Sequence, residues 1–117
     1  MAGKISTKQD YIERINKVLH YIHTHLDEKL EIETLAAQAY FSPYHFHRIM
    51  RAHINEPLMT YIVRIRLETA ANFILHSNMS IKDIAYTMGY DVPSSFNKAF
   101  KRSLVWPPEN FVIITQK

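Results

Sequence analysis

An internal repeat limits the folds open to this chain, because one short segment occurs twice, about fifty residues apart. "FSPYHFHRIMR" begins at Phe41 and "YDVPSSFNKAFKR" begins at Tyr90. Leu35-Ala36 matches Ile84-Ala85 at an offset of 49, and one inserted residue then raises the offset to 50. The pairs matched at the larger offset are Phe46 and Phe96, Arg48 and Lys98, Met50 and Phe100, and Arg51 and Lys101. The fold must therefore build one local structure twice.

Each copy has the pattern of two helices joined by a tight turn. In the first copy, helical spacing predicts a short helix at about 32–39. Ser42 is then a candidate N-cap with Pro43 at the first helical position, and Asn55 is a candidate left-handed end of the second helix. The second copy predicts helices at about 81–88 and 93–103, with Gly89 in the turn between them. A short helix, a turn and a second helix form a helix-turn-helix.

The other helices follow from apolar spacing of three and four residues. A helix at about 9–26 is predicted to face inward through Ile12, Ile15, Leu19, Ile22 and Leu26. A longer helix, from 57 or 58 to about 76, is predicted to do so through Met59, Val63, Leu67, Ala70 and Ile74. "WPPENF" predicts a final short helix that starts at Pro107–Pro108.

The expected fold class is all-α, with two helix-turn-helix units joined by a long linker helix and about seven helices in total. Two glycines and five prolines among 117 residues leave few breaks, and no stretch alternates as a sustained strand would. We expect a tail at 1–8, a first subdomain at 9–56, a linker helix at 57–76 and a second subdomain at 77–117.

Basic residues form two local patches at the repeated stretches, although the net charge is only +3. Residues 43–66 contain four arginines and a single acid, Glu56, and residues 94–102 contain three basic residues and no acid. Such patches are typical of surfaces that bind polyanions, although two solvated helix faces would give the same pattern.

Several classes of function are disfavoured. The chain has no cysteine, so disulfides and thiolate sites are excluded, and a reducing compartment is compatible with this composition. Seven histidines are present, but without an HExxH motif we expect no metal site. No phosphate loop or nucleophile motif points to an enzyme, and we expect no cofactor. Without an apolar run of about 20 residues or a signal peptide, we expect a cytoplasmic protein.

The geometry of a helix-turn-helix suggests what two copies could do. The second helix of such a unit enters the major groove of DNA, which is about 12 Å wide, with its N-terminal residues at the bases. A linker helix of about 19 residues is roughly 28 Å long, close to the ~34 Å between successive major-groove faces. We therefore expect two recognition helices in successive major-groove faces of one duplex.

Both copies and the linker together resemble the DNA-binding domain of AraC/XylS-type transcription regulators, over about residues 10–111. The most specific stretches are "IRLETAA" in the linker and "DIAYTMGY" followed by "SSFNKAFKR". The resemblance implies sequence-specific binding of double-stranded DNA for transcription regulation, commonly activation. Three positions depart from the family pattern: Tyr40 replaces the usual turn glycine, and Val105 and Pro107 are unusual near the C-terminus. A positive φ at Tyr40 would be strained.

The resemblance assigns roles to individual residues. The implied base-contacting residues are Tyr44, His45, His47 and Arg48 in the first copy and Ser94, Ser95, Asn97 and Lys98 in the second. Arg48 suits guanine and Asn97 suits adenine. Arg51, Lys101 and Arg102 lie farther along their helices and are expected to contact phosphates. The first copy should supply most of the specificity, because the short polar residues of the second discriminate less than an arginine.

The resemblance also suggests partners beyond DNA. RNA polymerase is an expected partner, and an effector domain following Lys117 is expected in preference to a small stand-alone regulator. A rival function remains open at this point, in which the same helices form a protein-interaction or non-specific nucleic-acid module.

Overall fold

A computed structural model describes residues 7–104, which form six α-helices and no strand within that range. The helices are α1 (Thr7–Thr24), α2 (Ile32–Gln38), α3 (Pro43–Ile54), α4 (Leu58–His76), α5 (Ile81–Thr87) and α6 (Pro93–Leu104). The all-α prediction is confirmed. The seventh helix at Pro107–Pro108 and the departures at Val105 and Pro107 lie outside the described residues.

Most helix ends agree with the sequence prediction to within a residue, but α1 does not. The helix was predicted at about 9–26 and runs from Thr7 to Thr24. The Thr24 hydroxyl donates to the carbonyls of His20 and Tyr21 at 3.0 and 3.1 Å, and a His25 ring nitrogen lies 2.8 Å from the Tyr21 carbonyl. These side chains satisfy carbonyls that a continuing helix would use, so α1 ends before Leu26.

Contacts along the described chain divide it into two compact units. The first unit holds residues 7–25 and 30–59, and the second holds residues 26–29 and 60–104. Helix α4 begins at the end of the first unit and continues through the second. Each unit contains one of the repeated helix pairs, α2 with α3 and α5 with α6. The finer division into a tail, two subdomains and a linker stays a prediction.

The core of the first unit lies between α1 and its helix-turn-helix. Phe46 and Met50 of α3 are fully buried, as are Leu35 and Ala36 of α2. The predicted inner face of α1 was partly wrong, since Ile12 is 37% exposed and Leu19 is half-buried. The buried residues of α1 are Ile15, Val18 and Ile22. An apolar stripe centred on Ile15 and Val18 fits helical spacing as well as the predicted stripe does. Packing therefore decided which face of α1 is buried.

The core of the second unit repeats that of the first at matched positions. Ile84 and Ala85 of α5 and Phe96 and Phe100 of α6 are fully buried. They take the places of Leu35, Ala36, Phe46 and Met50, as the offsets of 49 and 50 predict. The repeat therefore describes a shared packing scheme as well as a shared chain path.

The first half of α4 buries a different face from the one predicted. Met59 and Val63 are 43% and 39% exposed, whereas Leu58, Ile62 and Ile65 are buried. Farther along, the predicted residues Leu67, Ala70 and Ile74 are buried. The segment Leu58–Val63 is apolar on several sides, so apolar spacing alone could not distinguish its inner from its outer face.

Candidate nucleic-acid interface

The turns that connect the helix pairs have the same hydrogen bonds in both units. In the first, the Phe41 amide donates to the Ala36 carbonyl at 3.0 Å and the Tyr40 amide donates to the Ala37 carbonyl at 3.1 Å. In the second, Tyr90 donates to Ala85 and Gly89 to Tyr86, each at 3.0 Å. These are the two bonds of a Schellman motif, which closes a helix through a residue in the left-handed conformation.

The left-handed residue of each motif is the one singled out by the sequence. Tyr40 has φ of 59° and Gly89 has φ of 85°. Tyr40 therefore meets the condition under which the sequence predicted strain, because it has the positive φ that suits the glycine usual at this position. Asn55, predicted to end α3, also has a positive φ of 61°. Each turn thus redirects the chain at one defined residue, which sets the direction of the following helix.

The N-terminal end of α3, which carries the predicted base contacts, is stabilised by a helix cap. The Ser42 hydroxyl accepts a hydrogen bond from the His45 amide at 3.3 Å, and Pro43 occupies the first helical position. Both features were expected. In α6 the matching position before Pro93 is Val92, whose carbonyl accepts the amides of Ser95 and Phe96 at 3.0 and 3.4 Å.

One face of α3 combines an aromatic ring with cationic groups. Tyr44 is 75% exposed, and Arg48 and Arg51 are also exposed. The Arg48 guanidinium carbon lies 5.9 Å from the Tyr44 ring centre, at the outer limit of a cation–π contact. Spacings of four and seven residues from Tyr44 put these side chains on the same side of the helix. The structure therefore groups three predicted DNA contacts on one exposed face.

The two predicted histidines of α3 differ in their surroundings. His45 is exposed, but its ring packs edge-on against Tyr11 and Phe41, with centres 5.8 and 5.3 Å away. These contacts restrict the ring while leaving part of it accessible. His47 is half-buried, so less of its side chain could reach a base.

Helix α6 presents the same layout with different side chains. Ser94, Ser95 and Lys98 are exposed at the positions that match Tyr44, His45 and Arg48. Lys101, which matches Arg51, is exposed too, as is Arg102. The five matched pairs therefore agree in exposure, because Asn97 is half-buried like its counterpart His47. The assignments of these residues to bases or phosphates stay predictions.

Asn97 is placed in a way that the sequence did not indicate. Its side-chain oxygen is buried and has no hydrogen-bond partner. A bidentate contact with adenine needs the amide oxygen and the amide nitrogen together. In this conformation the oxygen is turned away from solvent, so reading adenine would require the side chain to rotate outward.

Arg14 of α1 contacts the first turn, a role that was not foreseen. Its Nη1 atom donates to the carbonyls of Ala39 and Tyr40, both at 3.1 Å. Its guanidinium carbon lies 4.0 Å from the centre of the Phe41 ring, and its Nη2 atom is 3.1 Å from an Asp10 carboxylate oxygen. A sequence signal was present, because an arginine directly before the buried Ile15 borders the apolar stripe of α1.

Arg66 of α4 lies beside the second turn. Its Nε and Nη2 atoms donate to the carbonyls of Leu26 and Glu28 at 3.0 and 2.6 Å. Burial lowers the pKa of this guanidinium, while Tyr90 and Asp27 oppose the shift. Burial likewise raises the pKa of the Tyr90 hydroxyl, and Arg66 opposes that shift. Arg66 therefore belongs to the scaffold of the second unit.

In the part of the chain that the structure describes, the other charged residues are not arranged as a metal site. Arg64 pairs with Glu68 at 3.2 Å across one turn of α4. Within residues 7–104, no group of three or more histidine, cysteine, aspartate or glutamate side chains is arranged to hold a metal ion. None of the helices in the same range has the length and apolar character needed to cross a membrane.

Comparison with known proteins identifies the family. A family model described as a helix-turn-helix domain matches residues 35–112. The regulatory protein PocR of Salmonella typhimurium (strain LT2) is 30% identical over 98 residues, which cover 84% of this chain and 32% of PocR. The transcriptional activator RhaS of Enterobacter sp. (strain 638) is 30% identical over 95 residues, covering 81% of this chain and 34% of RhaS. The chain spans about a third of the length of these curated relatives.

A solved structure with the same fold comes from AdpA, a global transcriptional factor. Its DNA-binding domain, crystallised with a target DNA, is 26% identical to this chain with a TM-score of 0.82. The match covers 86% of this chain and 91% of that domain. The family model spans well over half of the sequence, and the chain therefore belongs to the AraC/XylS family of transcription regulators.

Proposed function

We propose that this chain binds double-stranded DNA in a sequence-specific manner and thereby regulates transcription. The observation that carries the proposal is the matched layout of α3 and α6. Each helix follows a Schellman turn and buries its apolar side, and polar and basic residues are exposed at the same four positions, with a fifth matched pair half-buried in both. A helix-turn-helix uses this side of its second helix to reach base edges in the major groove.

The charge of the two helices supports DNA over a protein partner. Neither α3 nor α6 contains an acidic residue, and their exposed positions carry Arg48, Arg51, Lys98, Lys101 and Arg102. Protein interfaces are usually depleted of lysine, whereas phosphate contacts are made mainly by lysine and arginine. The AdpA domain with the same fold is bound to its target DNA.

The first unit supplies most of the sequence discrimination in this proposal. Tyr44 and Arg48 are exposed together on α3, and a guanidinium can bind guanine through two hydrogen bonds. In α6 the matched residues are Ser94 and Lys98, which discriminate less among bases. Arg51, Lys101 and Arg102 contact phosphates, because they lie farther from the N-terminal ends of their helices.

Both units bind the same duplex in this proposal. The chain carries two recognition helices, and α4 is one uninterrupted helix of 19 residues between the two helix-turn-helix pairs. Contact with successive major-groove faces is the expectation from the length of this helix. Selection of binding sites from random duplexes would reveal two conserved half-sites, and their spacing tests this arrangement directly.

The wider role is transcription activation in the cytoplasm, with RNA polymerase as the protein partner. Support comes from the relative RhaS, which is named an activator, and from the family to which the chain belongs. The same proposal includes an effector domain joined to this DNA-binding region. It also includes the absence of enzymatic activity. A reporter gene placed behind a selected site would show whether transcription rises or falls with the protein.

The decisive experiment is competition between a selected duplex and bulk DNA at fixed salt concentration. Replacing Arg48 by alanine should cost about 1–3 kcal/mol on the selected duplex and relax preference at one position. Lys101→Ala is the matched control, since it removes an exposed charge from α6 and should weaken all duplexes similarly. Equal losses on every duplex from Arg48→Ala would instead favour non-specific nucleic-acid binding.

A further inference from the structure

The first turn holds a residue that is poorly suited to its conformation. Tyr40 has φ of 59°, and the residue is 83% exposed. An L-residue in the left-handed region is destabilised by contact between its Cβ and the backbone. Because most of the ring is in solvent, packing of that ring offsets little of this strain. Contacts other than those of the Tyr40 ring, including the two Schellman hydrogen bonds, must therefore stabilise the turn.

Arg14 supplies such a contact from α1. One of its nitrogens bonds both the Ala39 and the Tyr40 carbonyl, the two carbonyls that flank the strained φ angle. Positive charge is favourable at this place, because the last carbonyls of α2 form the negative end of the helix dipole. The Phe41 ring beneath the guanidinium and the carboxylate of Asp10 fix its position.

The second unit solves the same problem in another way. Gly89 adopts φ of 85° without a side chain, and an added Cβ would lie 3.0 Å from the Leu26 carbonyl oxygen. The neighbouring Arg66 bonds the carbonyls of Leu26 and Glu28. The second turn thus avoids strain because it has a glycine at the left-handed position. The first turn keeps an L-residue there and is braced by hydrogen bonds from Arg14.

We propose that Arg14 is a positioning residue for the recognition helix of the first unit. By bracing the turn at Tyr40, it sets the direction in which α3 leaves that turn and therefore the placement of Tyr44 and Arg48. Phe41, which packs under the guanidinium, also contacts His45 on α3 at 5.3 Å between ring centres, so the brace extends to the recognition helix. This inference rests on the proposed DNA-binding function.

A double-mutant cycle between Arg14→Ala and Tyr40→Gly tests the inference. Site preferences would be measured by selection from random duplexes, and stability by urea unfolding. Arg14→Ala should reduce discrimination between selected and bulk duplexes on the order of tenfold, confined to the half-site read by α3. Tyr40→Gly removes the strain, so Arg14→Ala should lose clearly less discrimination and less stability in that background.

Lys17→Ala provides the matched control, because it removes the same charge from an exposed position on the same helix. It should leave the preference profile unchanged. Arg14→Ala losses that are equal on all duplexes, or that persist undiminished in the Tyr40→Gly background, would overturn the inference. If the unmodified chain shows no preference among duplexes, the DNA-binding proposal fails, and the stability cycle separately shows whether Arg14 braces the turn.

Discussion

Tyr40 and Gly89 occupy equivalent positions in the two Schellman turns, but the space available for a side chain differs between the two positions. Both have a positive φ, but Tyr40 is largely exposed, whereas a Cβ at Gly89 would lie 3.0 Å from the Leu26 carbonyl oxygen. The resemblance to the family drew attention to Tyr40, since it replaces the usual turn glycine, but left open whether its φ is positive. The sequence could not predict that one turn has room for a side chain and the other does not, because that depends on Leu26, which lies 63 residues before Gly89.

Gly89→Ala should therefore destabilise the protein, whereas Tyr40→Ala should change little. The alanine Cβ would crowd the Leu26 carbonyl oxygen and the Arg66 guanidinium in addition to straining φ. We expect a loss of about 2 kcal/mol in the free energy of unfolding for Gly89→Ala. Tyr40→Ala exchanges one L-residue for another with the same φ, so it should stay within about 0.5 kcal/mol. Urea unfolding of both variants checks this, and a neutral Gly89→Ala would contradict it.

At the scale of elements, the first helix of each repeated pair is stabilised by burial and by hydrogen bonds at its ends, because it is too short to be stable through its own backbone hydrogen bonds. Helices α2 and α5 have only seven residues each, which is too short for a helix to be stable in isolation. They are ordered by their buried residues, by the Schellman bonds at their ends and, in α5, by the Ser80 hydroxyl, which accepts the Asp83 amide at 3.0 Å. Spacing and capping residues therefore predicted these elements well, despite their small size.

Ser42→Ala should weaken the start of α3. The Ser42 hydroxyl accepts the otherwise unpaired His45 amide, and loss of such a cap usually costs about 1 kcal/mol. Ser103→Ala, at an exposed position within α6, is the matched control and should be close to neutral. Urea unfolding would measure both changes. Indistinguishable stabilities for the two variants would show that water replaces the cap at no cost.

At the scale of the whole molecule, the charge distribution matters more than the net charge. The chain carries +3 in total, but its recognition helices have five exposed cationic side chains and no acid. Binding driven by such groups releases counterions from DNA, so affinity falls as salt rises.

Replacing Lys101 and Arg102 together by alanine should flatten the dependence of affinity on salt. If each neutralises one phosphate, the slope of log affinity against log salt should decrease by about 1.8 in magnitude. Lys17 and Lys29, exposed outside α3 and α6, offer a double variant of equal charge that should leave the slope nearly unchanged. Titrations of one selected duplex at several salt concentrations provide the measurement. Equal flattening by both pairs would place the DNA contact elsewhere.

The repeat, the capping residues and the spacing of apolar side chains were enough to predict six helices and their pairing into two similar units. These signals are local, since caps and helical periodicity act within a few residues. The inner faces of α1 and of the first half of α4 were partly wrong, because apolar residues at Ile12, Met59 and Val63 fit a helical stripe without being needed in the core. The buried side-chain oxygen of Asn97 was likewise not indicated by the sequence. Packing between helices distant in sequence decided those inner faces and the contact from Arg14 to the first turn. Arg14, for example, contacts Ala39, which lies 25 positions later in the chain, and no local sequence pattern encodes such a contact.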